Sequence, residues 1–294
     1  MPSPGLRSLW LARKWFTIIP PLVCPVTFVF DAPFGRFAPS EDSILLVDGI
    51  KSWIAMELVS PVSFIYTFLK APLAPSAPAL SLHDPSTFLA TLFLIHYANR
   101  ALISPLRTPV RSKSHISVFL SAVSFNIVNG SLMGTYLSSA IAQSFLHDAF
   151  SKPLFWVGVG LWALGFAGNI LHDEVLLNIR RNAKAKGKAK DDPRGMSKGA
   201  KPHYAVPHGY LYSLISYPNY FCEWVEWLGF ALAAAPLPSF TSFGDLLATL
   251  TPPYIFFLSE VFLMLPRAYR GHKWYHNRFS DYPRDRKVVI PFLF

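Results

Sequence analysis

The sequence predicts an all-α, polytopic membrane protein of about seven transmembrane helices. Three observations carry that prediction. The 294 residues are 52% hydrophobic and only 15% charged, where a soluble domain carries about a quarter charged residues, and the mean hydropathy is +0.32. Several stretches of membrane-spanning length hold one charge or none. The net charge of +10 is concentrated, with nine Lys/Arg against two Asp in residues 180–201. That pattern marks a cytosolic loop and gives no reason to expect a nucleic-acid partner. Cys24 and Cys222, both in apolar surroundings, offer no disulfide framework and no metal spacing.

The first apolar segment, residues 9–30, carries Arg13-Lys14 and is interrupted by Pro20, Pro21 and Pro25. It reads as a kinked anchor, because no small-residue cleavage site follows. The second, 48–70, has Glu57 as its one charge between Lys51 and Lys70. A proline-rich connector at 71–85 leads to a third span, 86–106, containing His96-Tyr97-Ala98-Asn99-Arg100, with Arg107, Arg111 and Lys113 beyond. Residues 114–147 contain no Asp, Glu, Lys or Arg, so a fourth span near 115–138 continues as helix or turn to 150. Asn129-Gly130-Ser131 matches a glycosylation sequon that burial in this run leaves unused. The fifth span, 153–172, runs into Asp173, Glu174, Arg180 and Arg181.

Residues 182–202 are rich in Lys, Ala and Gly, lack periodicity, and read as a flexible basic insert able to touch anionic lipid. A sixth span at 210–238 and a seventh at 244–265 follow. The tail from Arg267 is basic and aromatic and ends in Ile290-Pro291-Phe292-Leu293-Phe294, expected to pack on the core. Seven crossings put the chain ends on opposite sides, with the insert and tail cytosolic. The N-terminus then falls on the lumenal side, against the charges of Arg13 and Lys14.

Polar residues recur on helical faces. Asn219, Glu223, Glu226 and Trp227 fall at i, i+4, i+7 and i+8 after Pro218, at the mouth of an apolar run whose next charge is Asp245. Acids there are costly unless they bind something; a helix N-terminus complemented by its acids would use the same residues. Asn169, Asp173 and Arg180 lie on one stripe, which reads either as a helix-end salt-bridge face or as a polar wall for a nucleotide, with Arg for phosphate. Glu57 near mid-span could donate a hydrogen bond to a carbonyl oxygen, with Tyr97 its natural companion. Glu260 suggests a structural or helix-pairing role. His272 and His276 at i, i+4 lack a third ligand, so no metal is expected. Gly158-Val159-Gly160 is not a dinucleotide fingerprint, and P-loop, G-x-S-x-G and H-E-x-x-H motifs do not occur.

Taken together these residues resemble the steroid 5α-reductase (3-oxo-5α-steroid 4-dehydrogenase) family over nearly the whole chain. The carrying stretches are Gly168-Asn169-Ile170 with Asp173 and Arg180, the segment Asn219 to Trp227, and the tail Trp274-Tyr275 through Phe279-Ser280-Asp281-Tyr282-Pro283, Arg286-Lys287 and Ile290 to Phe294. Upstream, His96-Tyr97 with Arg100 matches the family's H-Y-x-x-R element, and Met56-Glu57-Leu58 its Glu segment. The resemblance implies a single domain over 1–294, with about 150–294 the cofactor-binding region. It implies an endoplasmic-reticulum enzyme whose seven helices enclose a cofactor and substrate cavity, with NADPH bound from the cytosol and an apolar enone entering from the bilayer. By position, Glu57 and Tyr97 hold the substrate carbonyl. Arg100, Arg111, Asn169, Asp173, Arg180, Tyr204, Asn219, Glu223, Tyr275 and Arg286 face NADPH, with Trp227 nearby. Three departures are the long insert at 182–202, Gly271 where the animal enzymes tend to carry histidine, and Ala205 in place of a basic residue. The reaction implied is hydride transfer to the β-carbon of an α,β-unsaturated ketone, such as a 3-oxo-Δ4 steroid. Polyprenol or trans-2-enoyl-CoA reduction, and a non-enzymatic lipid-binding scaffold, are the alternatives.

Overall fold

The computed structural model describes residues 4–37, 43–188 and 204–294. Ten α-helices dominate them: α1 (Pro4–Thr27), α2 (Gly49–Lys70), α3 (Pro85–Tyr97), α4 (Ser104–Arg107), α5 (Ile116–Leu137), α6 (Ala140–Leu146), α7 (Pro153–Lys188), α8 (Pro218–Ala234), α9 (Phe243–Thr249) and α10 (Pro252–Arg278). A π-helical turn, Ala98–Ile103, carries α3 into α4 without a gap. Two-residue strands β1 (Leu46–Val47) and β2 (Ser114–His115) pair antiparallel beside the start of α2. Helix starts follow local chemistry. The Asp48 carboxylate accepts from the Ile50 and Lys51 amides, and Asp84 caps α3 ahead of Pro85.

By length and apolar composition, three of the described helices can cross a membrane: α2, α5 and Pro153–Ala185 of α7. The number is four if α9 and α10 form one bent span. Intimate helix pairs, α7 with α8 and α2 with α5, anchor the bundle, and α1 lies along α10. Both seams use small residues for close backbone approach. A Cβ at Gly165 would collide with backbone atoms of Glu226 and Cys222, and one at Gly134 with the Phe64 carbonyl.

The bundle has two distinct ends. At one, Arg13 of α1 donates to the carbonyls of Leu247, Ala248 and Leu250, at 3.1, 3.2 and 2.6 Å. At the other, Arg270 of α10 pairs with Asp31 just beyond α1, at 2.5 Å. Helix α1 therefore runs parallel to α10 and spans about 36 Å, enough for a bilayer core of about 30 Å. The beginning of α1 and the tail after α10 lie at opposite ends. Arg13 is occupied in capping the last turn of α9, which accounts for a basic residue at the end where charge counting does not place one.

Four sequence expectations change. The span expected at 244–265 breaks between α9 and α10 with a bend of 111°. Pro252 and Pro253 cannot donate backward into α9, and α10 instead continues to Arg278. The span expected from 210 begins at Pro218, because proline holds Tyr217 out of the helical region, at φ −129° and ψ 59°. The insert expected at 182–202 is helical through Lys188, in keeping with the helix propensity of Ala and Lys; residues 189–203 lie outside the described residues. The apolar terminus packs only in part. Val288 and Val289 are buried, whereas Phe292 and Leu293 are about four-fifths exposed, at 80% and 77%.

Candidate active site

Helix α8 presents the face its spacing predicts. Pro218 starts the helix, and Glu223, Glu226 and Trp227 are buried inside the bundle. Helix α7 meets this face through Asn169 and Asp173. The Asn169 amide donates to the Asn219 carbonyl and to Glu223 Oε2, both at 3.1 Å. Asn219 Nδ2 donates to Asp173 Oδ1 at 3.0 Å. The π-helical turn adds Arg100, whose guanidinium meets Glu223 at 3.0 Å and Glu57 of α2 at 3.3 Å. One continuous polar chain thus links Glu57, Arg100, Glu223, Asn169, Asn219 and Asp173 across α2, the π-turn, α8 and α7. A π-turn widens the helix locally and re-aims side chains, and such turns concentrate at functional sites.

Trp53, one helical turn before Glu57, forms a shelf for two arginines. Its Nε1 donates to the Arg100 carbonyl at 3.2 Å. The guanidinium carbons of Arg111 and Arg100 lie 3.6 and 5.2 Å from its ring centre. Burial first, and then the like charge of Arg180, press the Arg111 guanidinium below its ordinary value. Two cations held within mutual reach suit an anion between them. Arg180 also lies in electrostatic reach of Asp173, so the stripe of Asn169, Asp173 and Arg180 faces this cluster. Glu174, on another face of α7, pairs with Arg107 and Arg181.

Tyr97 is buried at the end of α3, and its phenol oxygen accepts from Asn129 Nδ2 at 3.1 Å. Beside it, His96 Nδ1 meets Glu226 Oε1 at 2.6 Å. Trp227 sits one layer behind the polar chain, its ring 4.6 Å from both His96 and Phe256. Glu57 remains the one charge of α2 between Lys51 and Lys70, and Arg100 comes from the π-turn to meet it.

The remaining site candidates gather where the tail crosses the start of α8. Residues 214–217 bond to 287–288 through Lys287 N to Leu214 O, Ser216 N to Lys287 O and Tyr217 N to Val288 O, at 2.8, 2.9 and 3.1 Å. This clamp buries Arg286, whose guanidinium lies over Tyr282 with Nη2 3.4 Å from His208 Nδ1. Its Nε and Nη1 are buried without a partner among the described residues. A buried guanidinium with two unpaired donors fits a phosphate-bearing ligand. Tyr275 stacks on Tyr282 with ring centres 5.1 Å apart, and Tyr204 stands edge-on to Trp274 at 5.3 Å. Aromatic faces beside an unpaired arginine suit the base and phosphates of a nucleotide. No group of three or more metal-ligating side chains occurs among the described residues. A groove of about 470 Å³ lies on the outer side of α2 and α5, lined by Ala55, Leu58, Val59, Val62, Tyr66 and Ile127, away from the polar chain.

Sequence reasoning gave no role to Asn129, His96 or Trp53. Their signals were faint but present. Asn126 and Asn129 stand three apart in a run without charges, and Trp53 is four residues before Glu57.

Comparison with known proteins identifies the family. The model of the 3-oxo-5-alpha-steroid 4-dehydrogenase family matches residues 112–294. The chain is 38% identical to Uncharacterized protein C9.08c of Schizosaccharomyces pombe, over 92% of this chain and 94% of that one. It is 31% identical to 3-oxo-5-alpha-steroid 4-dehydrogenase 1 of Rattus norvegicus, over 89% and 86%. It is 32% identical to Steroid 5-alpha-reductase DET2 of Gossypium hirsutum, over 83% and 81%. With a polar chain inside an apolar helical bundle and relatives matched along most of their length, the chain belongs to the 3-oxo-5-alpha-steroid 4-dehydrogenase family of oxidoreductases.

Proposed function

We propose that the protein reduces the carbon–carbon double bond of a lipid enone, a 3-oxo-Δ4 steroid or a lipid of similar shape, with NADPH as reductant. The observation that carries this reading is the polar chain from Glu57 through Arg100 to Asp173, buried at Glu57, Glu223 and Asn169 and half-buried elsewhere, in a bundle that is otherwise apolar. Seven helical passages, namely α1, α2, α3 with α4, α5, α7, α8 and α10, surround this chain in a membrane of the endoplasmic reticulum. The polar end faces the cytosol, where the basic last turns of α7 and the tail both lie.

When bound, the reduced nicotinamide supplies a hydride to the β-carbon of the enone. The protein orients and stabilises. Arg100, Arg111, Arg180 and Arg286 meet the phosphates. Asn169, Asp173, Asn219 and Glu223 hold the amide and ribose groups, and Tyr204 and Tyr275 flank the base. The substrate carbonyl lies between Glu57 and Tyr97. Asn129 donates to the Tyr97 oxygen, which leaves the phenol O–H to donate to the carbonyl. Glu57, released when Arg100 turns to the phosphates, is the second donor as a carboxylic acid. Both bonds strengthen as charge develops on the carbonyl oxygen, so they favour the transition state over the bound substrate. Trp227 and its aromatic neighbours keep water from this region.

The test uses the purified full-length protein. Mass spectrometry of retained small molecules finds NADP(H), and NADPH consumption follows the enone steroid in a panel with polyprenol-type and trans-2-enoyl-CoA lipids. Glu57→Leu loses turnover by about 100-fold or more, whereas Glu57→Gln keeps a donor and retains a measurable part. Wild-type turnover in Glu57→Leu would remove Glu57 from this role.

A further inference from the structure

Two carboxyls lie near the polar chain without belonging to it: Glu226, which pairs with His96, and Glu260 of α10. Glu260 shares a helical face with Phe256 one turn earlier, and Phe256 packs on Trp227 of α8. Glu260 therefore points inward, toward α8 and α3. It stands within electrostatic reach of Glu223 and Glu226 of α8, Arg100 of the π-turn and Glu57 of α2, and of Tyr97 at the end of α3. It is half-buried, and among the described residues it makes no hydrogen bond and no ion pair. Its neighbour Ser259, by contrast, is buried and bonded to the Ile255 carbonyl at 2.8 Å.

Charge matching indicates the form in which Glu260 sits there. Arg100 is the cation in that neighbourhood, and Glu223 and Glu57 already share it. An ionised carboxylate without a counter-charge inside an apolar bundle carries a large desolvation cost. A carboxylic acid does not, and it also avoids repulsion with the two paired carboxylates. The group is thus a proton-bearing acid facing the place where Glu57 and Tyr97 converge.

We propose that Glu260 is the proton donor that completes the reduction. This rests on the enone-reductase reading above. After hydride adds to the β-carbon, the former double-bond electrons lie in an enolate held by Tyr97 and Glu57. The Glu260 O–H bond breaks, its proton forms the new C–H bond at the α-carbon, and the enolate returns to a ketone. Glu260 is left as a carboxylate and recovers a proton from water when product leaves. The net change is one hydride and one proton added across the double bond, with one reduced nicotinamide oxidised.

The experiment compares wild type, Glu260→Gln and Glu260→Leu as purified full-length proteins. Without substrate or nucleotide, the infrared difference between wild type and Glu260→Gln at neutral pH contains a protonated-carboxyl band that shifts in D2O. With NADPH and an enone steroid, both variants turn over about 100-fold more slowly, with the KM for the enone within about threefold of wild type and nucleotide affinity unchanged. Unchanged nucleotide affinity also verifies that the variants are folded. Absence of the infrared band, or wild-type turnover in either variant, overturns the assignment while leaving the reductase reading intact. Failure of the wild-type protein to reduce any enone overturns that reading and this inference with it, and the two failures are thereby told apart.

Discussion

In the seam between α2 and α5, Gly130 and Gly134 let two backbones touch; in the seam between α7 and α8, Gly158, Gly165 and Gly229 do the same. The polar residues along the two seams behave differently. In the α2–α5 seam they are neutral and satisfied close by. Ser63 bonds back to Val59 O at 2.8 Å, Thr67 to Ser63 O at 2.9 Å, and Asn126 crosses once to Met56 O at 2.8 Å. In the α7–α8 seam they are carboxylates and amides that pass hydrogen bonds along the interface and end on a cation from a third element, Arg100. A neutral group in an apolar medium needs one partner and can find it on its own helix. A charge needs a counter-charge, which the same helix pair does not supply. The first seam is held by packing with local bonds, and the second by a charged relay that closes only through Arg100 of a third element.

The largest effect that separates the seams is expected from Arg100→Leu. The change leaves Glu223 and Glu57 without their cation, a loss of about 3–5 kcal/mol for a broken buried pair. It also removes an arginine proposed to meet the cofactor phosphates, so nucleotide affinity is expected to fall by about 100-fold or more. Thermal unfolding in detergent and equilibrium dialysis with NADPH read the two losses. Arg100→Lys restores part of the stability and little of the affinity, because an ammonium cannot serve two carboxylates with the same fork geometry. An Arg100→Leu protein with wild-type NADPH affinity would place the cofactor elsewhere.

Much of the α7–α8 seam was legible in the sequence because helical periodicity is a one-dimensional property. The positions of Asn219, Glu223, Glu226 and Trp227, and of Asn169, Asp173 and Arg180, fix two faces before any packing is known. That the two faces meet is a tertiary fact, yet complementary amides and carboxylates on helices joined through one connection left few alternatives. The α9–α10 bend was also written in the chain, at Thr251-Pro252-Pro253, but apolar composition on both sides masked it. What composition could not give was the third element. Nothing in residues 98–103 signals a π-turn, so the convergence of Arg100 on Glu57 and Glu223 appears only when the chain is folded. The same holds for Asn129, a residue that reads as a glycosylation site and in the fold supports the Tyr97 phenol.

A smaller effect, confined to the α7–α8 seam, is expected from Asn219→Ala. Asp173 loses its donor, and leaving a half-buried carboxylate oxygen unpaired costs about 1 kcal/mol, the low end of the range for buried groups. The amide that would meet the cofactor is also lost, so the Kd for NADPH rises about tenfold, which corresponds to about 1.4 kcal/mol. Turnover at saturating NADPH stays near wild type, because Asn219 does not touch the Glu57–Tyr97 pair. A fall in turnover with unchanged KM would move Asn219 from the cofactor to the substrate.

The smallest expected effect tests whether the α2–α5 seam is as independent as its hydrogen bonds suggest. Asn126→Ala removes the single bond from α5 to the Met56 carbonyl, next to Glu57. One neutral hydrogen bond between membrane helices is worth about 0.6 kcal/mol on average, and the Met56 carbonyl keeps its bond within α2. Stability should fall by about that amount in a thermal-shift measurement, with NADPH affinity and the KM for the enone unchanged. Met56 sits one position along the chain from the proposed carbonyl-binding acid, so the result is informative in both directions. If turnover drops while stability hardly moves, Asn126 is aligning Glu57 through the α2 backbone. The α2–α5 seam would then share in the chemistry, and the contrast between a packing seam and a binding seam would have to be redrawn with Asn126 and Asn129 on the binding side.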